Sequence, residues 1–162
     1  MTDHPAGTIR PLAGEALEAS IDGGARGNPG NAGYGCHLTL PSGETWDEVW
    51  GHLGVQTNNV AEYVALLAAL EYAIAAGAGS LRVRSDSQLL VRQILGKYRV
   101  KNPGLRPLFE RARAAIARLP RFRIEHVYRE DNREADALAN RAMDTRESSG
   151  HLEAAALLGR RG

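Results

Sequence analysis

At 162 residues, 43% hydrophobic and 24% charged, the chain has the composition of a single soluble domain with apolar mass for its own core. One cysteine, Cys36, excludes an internal disulfide framework and fits a reducing, cytoplasmic setting. The first 18 residues show no secretory pattern, and the longest apolar run, Val64 to Leu70, is too short to span a bilayer. The net charge of +1 conceals two opposed halves: residues 1–80 carry two arginines against nine acids, and residues 81–162 carry 18 basic residues against ten acids. Such a basic half is either a face for an anionic partner such as nucleic acid or an ordinary solvated helix surface.

In chain order, residues 1–17 are expected to form a flexible, irregular segment. A short strand should end near Asp22, followed by a glycine-rich stretch, "GGARGNPGNAG". Those glycines either cradle a phosphate with backbone N–H groups or act as turn residues that leave Asp22 free. "GYGCHLTL" reads as a second strand and "ETWDEVWGHL" as a third, with Trp46 and Trp50 on one face; the "PSG" between them makes an antiparallel hairpin. "NNVAEYVALLAALEYAIAA" is an apolar, buried helix stopped by Gly77 and Gly79. Then come a strand at "LRVRSD", a short helix ending at Gly96, a loop with Pro103 and Gly104, and an amphipathic helix from Leu105. "RFRIEHVY" alternates as a strand does, and "NREADALANRAMDTR" is the last long helix. Residues 147–162 form a tail in which "HLEAAALL" suggests a short helix, packed on the body or hanging free. This order implies an α/β fold with a mixed sheet: an antiparallel meander, then parallel strands, flanked by helices.

Four acids fall at the ends of these elements: Asp22, Glu62, Asp86 and Asp136. Each has a structural explanation on its own. "Asn59-Val-Ala-Glu62" is a capping-box pattern, Asp86 is placed to cap the next helix, Asp136 suits a helix N-terminus, and Asp22 can brace a turn. Together, strand ends and helix starts can deliver all four to one edge of the sheet. Carboxylates so gathered cannot all ionise without cations, and hard divalent ions, Mg²⁺ or Mn²⁺, are the natural partners of an oxygen-only set. An acidic metal site beside a basic surface points to phosphodiester chemistry.

The motifs "DGGARGNPGNAGYG", "TNNVAEYVALLAAL", "SDSQLLVRQI" and "EDNREADALAN", in this order, resemble those of type 1 ribonuclease H. The resemblance runs from about Ser20 to Met143 and assigns a catalytic domain to residues 18–146, with a five-stranded ribonuclease H-like sheet. It implies an endonuclease that hydrolyses the RNA strand of RNA–DNA hybrids with two Mg²⁺ ions, Mn²⁺ as a substitute, leaving 5′-phosphate and 3′-hydroxyl ends. Asp22, Glu62, Asp86 and Asp136 match the family's metal-binding acids. Asn28, Asn58 and Asn59 match minor-groove contacts, Gly24 and Ala25 offer backbone contacts there, and Thr57 matches a residue holding a DNA phosphate. Lys101 and Asn102 are further candidate contacts. The resemblance also settles the glycine stretch in favour of turn residues and a free carboxylate.

The chain departs from many members in two places. The region after the short helix is only "LGKYRVKNPG", without tryptophan, as in a compact branch that lacks a basic protrusion. Substrate grip then weakens or passes to the arginines of the helix from Leu105, and activity on double-stranded RNA stays open. No histidine takes the place of the family's mobile-loop histidine: His126 lies inside a strand pattern, leaving Arg129 or Glu130 as candidates. A stand-alone monomer is expected. Two other classes compete: a hybrid-binding module without catalysis, and a phosphotransferase, for which no "GK[ST]" loop is found.

Overall fold

The computed structural model describes residues 6–160. Five strands form one sheet in the order β3-β2-β1-β4-β5. Strands β1 (Ala16–Arg26), β2 (Gly30–Thr39) and β3 (Thr45–Gln56) form the antiparallel meander. Strands β4 (Ser80–Ser85) and β5 (Phe122–His126) add in parallel on the far side of β1. Helix α1 (Asn58–Ala76) crosses from the meander to β4, and α2 (Gln88–Ile94) and α3 (Arg106–Ala117) connect β4 to β5. A short 3₁₀ turn (Arg129–Asp131) leads into α4 (Arg133–Thr145), and the chain closes with α5 (Ala154–Leu157). This is the mixed five-stranded α/β architecture that the motifs imply.

Alternation along β1 and β4 puts Leu17, Ala19, Ile21, Leu81 and Val83 into the main core. Helix α1 covers them and is buried along most of its length. By length and composition it could cross a membrane, but 67% of the apolar window is buried inside the protein, as expected of a core helix. It ends where Gly77 adopts φ 72° and the Ala78 N–H returns to the Ala73 carbonyl, a glycine C-cap. Helix α4 lies across β1, β2 and β3, where Leu138 and Ala142 pack on Trp50.

The glycine stretch contains the expected turn, but a shorter one: residues 27–29 reverse the chain, with Gly27 at φ 91°. Strand β1 runs through Asp22 to Arg26, and β2 starts already at Gly30, so most of these glycines lie in strands. At Gly23 and Gly35 the reason is close approach. A Cβ on Gly23 would collide with the backbone of Ala61 on α1, and one on Gly35 would stand 2.6 Å from the Ala135 carbonyl oxygen and from the Leu138 Cβ on α4. Two helices thus touch the strands backbone to backbone on either side of Asp22.

The two tryptophans do not share a face. A register shift between Leu38 and Thr39 leaves Trp46 unpaired in β3, and a bulge of this kind re-aims its side chain. Trp50 faces α4, whereas Trp46 packs against the main core with the Arg10 guanidinium 3.7 Å above its ring.

The N-terminal segment expected to be flexible is attached where it is described. Leu12 is buried, its N–H donates to the Ala76 carbonyl, and the Arg10 N–H donates to the Tyr72 hydroxyl. The expected domain boundary after residue 17 falls inside β1. Residues 1–5, including His4, lie outside the described residues.

The tail packs onto the body. Gly51 and Ser148 form an antiparallel bridge beside β3, the Ser149 N–H donates to the Trp50 carbonyl, and His151 bonds both Ser149 and Asp47. Arg111 on α3 donates to the carbonyls of Ala156 and Leu157, and the Leu157 side chain is buried. This covers the edge of β3, which would otherwise present unpaired backbone groups.

Part of the basic half is consumed internally. Arg84 pairs with Glu18 and Glu125, Arg82 pairs with Glu125, and Arg113 donates to the Ile94 carbonyl.

Candidate active site

The parallel pairing of β1 with β4 ends at Ile21 opposite Ser85. The next residue on each strand is an acid, so Asp22 and Asp86 emerge side by side where the pair ends. Glu62 arrives from α1 through the close contact at Gly23. Asp136 arrives from the first turn of α4 on the other side. All four line one cleft of about 690 Å³, with Gly23, Gly24, Ala25, Asn58 and Asn59.

The structure disposes of two of the structural explanations. Thr57, not Asn59, caps α1: its Oγ1 accepts the Val60 N–H at 3.2 Å, and no acid stands in the first helical turn. Ser87, not Asp86, caps α2 by accepting the Leu90 N–H at 3.2 Å. Glu62 and Asp86 therefore reach the cleft free of capping duty. Ser87 also lies near enough to the Glu62 carboxylate to favour its charged form.

The electrostatics follow from this crowding. Burial pushes the Asp22 carboxyl from 3.8 up to about 8, helped by the charge of Asp86, by Asp136 and by the charge of Glu62. Burial pushes Glu62 from 4.5 up to about 7; Asp86 adds to the rise and Ser87 opposes it. The cleft thus holds protons at neutral pH that a cation would displace. Among the described residues, no group of three acid, histidine or cysteine side chains is already arranged as a metal cage. An all-oxygen set that lines an open cleft instead fits Mg²⁺-type ions, which take one or two carboxylates and complete their shell with water and phosphate oxygens.

Asn58 organises the rim. Its Oδ1 accepts the Ala25 N–H at 2.8 Å, and its backbone N–H donates to Asn28 Oδ1 at 3.1 Å. Asn28 and Thr57 thus adjoin the cleft without lining it. Lys101 and Asn102 lie elsewhere, in the exposed α2–α3 loop, where Asn102 Oδ1 accepts the Gly104 N–H at 2.7 Å and shapes the turn. His126 ends β5, opposite Ser85, with its ring edge-on to Tyr128, outside the cleft lining.

Three cleft residues, Arg26, Asn140 and Met143, escape the motif reading of the site. Asn140 donates to Asp136 Oδ2 at 3.2 Å, and Arg26 bonds both Asn140 and Asp144, bracing α4 against β1. Met143 and Arg129 complete the lining, and Arg129 is one of the two residues raised in place of the mobile-loop histidine. The i+4 spacing of Asn140 from Asp136 was a usable signal. Arg26 had none, because its contact depends on the hairpin meeting a helix more than a hundred residues away.

A family model described as reverse transcriptase-like matches residues 20–142, which include all four acids. Ribonuclease HI of Halobacterium salinarum is 41% identical over 136 residues, covering 84% of this chain and 68% of that protein. The chain belongs to the ribonuclease H family. The crystal structure of RNase H1 from H. salinarum matches with a TM-score of 0.78 at 42% identity, over 80% of this chain and 98% of that one. LC11-RNase H1, solved in complex with RNA/DNA hybrid, matches at 0.77 and 41% identity, over 80% of this chain and 98% of that one. The bifunctional protein Rv2228c of Mycobacterium tuberculosis is 42% identical over 134 residues; the match spans 82% of this chain and 37% of that protein. The α2–α3 connection, where the sequence departs from many members, is a loop with no helix or strand between α2 and α3.

Proposed function

We infer that the four-carboxylate cleft is where this ribonuclease H cuts the RNA strand of an RNA–DNA hybrid, leaving 5′-phosphate and 3′-hydroxyl ends. The single observation that carries this reading is the meeting of Asp22, Glu62, Asp86 and Asp136 in one cleft, beside Gly24, Ala25, Asn58 and Asn59. The donor set fits Mg²⁺, with Mn²⁺ as a substitute: the acids are oxygen donors whose crowding raises their proton affinity until a cation relieves it. Bound there, such ions supply an activated water and neutralise the departing 3′ oxygen.

The chain's own residues do the rest. Asp22 is near enough to feel Asp86, Asp136 and Glu62, and with them would hold the ions. Asn58 has its Oδ1 committed to Ala25, so its Nδ2 amide is what it offers to the minor groove. The 2′-hydroxyls exposed there distinguish the RNA strand. Arg129 brings a positive charge to the cleft rim, suited to a phosphate.

The test is cleavage of one labelled sequence as RNA–DNA, RNA–RNA and DNA–DNA duplexes, each with Mg²⁺, Mn²⁺ or chelator. Metal-dependent cutting of RNA in the hybrid alone is the expected result. Cutting of RNA–RNA as well would show that the short α2–α3 loop relaxes selectivity for the DNA strand. Hybrid binding without cutting would leave a binding module.

A further inference from the structure

We propose that Asn132 is a positioning residue that holds Asp136 in place against Asp22. It stands at the N-cap of α4, where an asparagine ordinarily accepts a backbone N–H of its own helix. Here its side chain makes no capping bond. Nδ2 instead crosses to β1 and donates to the Ile21 carbonyl at 2.8 Å, one residue before Asp22. Its own carbonyl accepts the Asp136 N–H at 3.1 Å. One residue therefore bonds the neighbour of one carboxylate and the backbone of another.

The contact is deeply enclosed. Asn132 is 1% exposed, and its Oδ1 is buried without a hydrogen-bond partner. A buried amide that forgoes its cap and leaves an acceptor unpaired is a costly choice for a packing role alone. The geometry rewards that cost by fixing α4 to β1 at the point where their acids meet. Arg26, Asn140 and Asp144 fasten the same helix one or more turns further on, so Asn132 is the lock nearest the chemistry.

The proposal rests on the cleft being the metal-dependent active site, and the test separates the two. Asn132→Ala and Leu12→Ala are compared with wild type. Leu12 is buried against the C-terminal end of α1, the end far from Glu62 and the cleft, and supplies a control for lost stability. Hybrid cleavage with Mg²⁺ gives kcat and KM; melting temperature against Mn²⁺ concentration, without substrate, gives a reading independent of activity. For Asn132→Ala, kcat is expected to fall about 10–100-fold with KM within about twofold. The Mn²⁺ needed for half of the thermal shift is expected to rise severalfold. Leu12→Ala is expected to melt earlier and keep both values. Should Asn132→Ala not fold, Asn132→Asp keeps the shape while removing the donor, and is read the same way. A variant that only melts earlier, with wild-type kcat and Mn²⁺ response below its transition, overturns the positioning role. A wild type with neither cleavage nor a metal-induced shift overturns the active-site reading, and the role of Asn132 with it.

Discussion

Asp136 on α4 lines the same cleft as Asp22 on β1 and adds, after burial and the charge of Asp86, to the rise of the Asp22 carboxyl to about 8. The metal-free cleft therefore keeps near neutrality a proton that model carboxylates release well below pH 5. Protons and divalent cations compete for the same oxygens.

The first prediction is a pH dependence. Asp22 and Glu62 titrate near 8 and 7 in the folded state, above 3.8 and 4.5. Both are raised acids, so the folded chain binds more protons than the unfolded chain between those values. Metal-free stability should fall as pH rises from about 4 to about 8. The thermal shift produced by Mg²⁺ should grow from pH 6 to pH 8, and hybrid cleavage should grow with it. Melting curves at three pH values, with Mg²⁺ and with chelator, check this; a shift that shrinks as pH rises contradicts it.

Asp22→Asn removes the cleft carboxylate that burial, together with its acidic neighbours, raises to about 8. Cleavage should be lost, while the metal-free protein should gain about 1–2 kcal/mol, because a neutral amide relieves the crowding. Calorimetry in chelator beside a cleavage assay separates the two effects. Wild-type cleavage by this variant would remove Asp22 from the site.

Gly35→Ala tests the packing that brings Asp136 in. The added methyl meets the Ala135 carbonyl and Leu138. It should cost about 1–3 kcal/mol and push α4 outward. Activity should fall more than the unfolded fraction explains, measured well below the melting transition.

The rim gives a contrast between neighbours. Thr57→Ala removes the α1 cap and should cost about 1 kcal/mol. Asn58→Ala frees the Ala25 N–H and removes the amide assigned to the minor groove, so it should raise KM for the hybrid severalfold more than it lowers kcat. Steady-state kinetics on hybrids decide it.

Arg129 is exposed and lines the cleft. Arg129→Ala should leave the melting temperature unchanged and lower the cleavage rate about tenfold. Glu130→Ala, one residue along on the same 3₁₀ turn, should do less, since Glu130 is absent from the lining.

Much of this site is legible in the chain. The four acids sit within short stretches whose local patterns mark strand ends and helix starts, and local pattern is what a sequence records well. The core helix is equally plain, because an alanine- and leucine-rich run closed by Gly77 allows few alternatives. Other features resist that reading. The glycines after Asp22 look like a loop because a missing side chain signals flexibility; their actual use, contact with Ala61 and Ala135, involves residues remote in sequence. The capping-box reading of Glu62 fails because the helix is capped two residues earlier than the pattern suggests, at Thr57. The bulge that turns Trp46 from Trp50 has no local signature, and the grip of Arg111 on the tail spans 46 residues.

The sequence by itself determined the chemistry: which residues carry carboxylates, amides and guanidinium groups, and in what order the elements present them. Only the tertiary structure decided how those groups behave. The parallel register of β1 and β4, the contact at Gly23 and the placement of α4 bring four acids from distant stretches into one cleft. Proton affinity depends on burial and on the distance to other charges through space, and neither quantity is written along the chain.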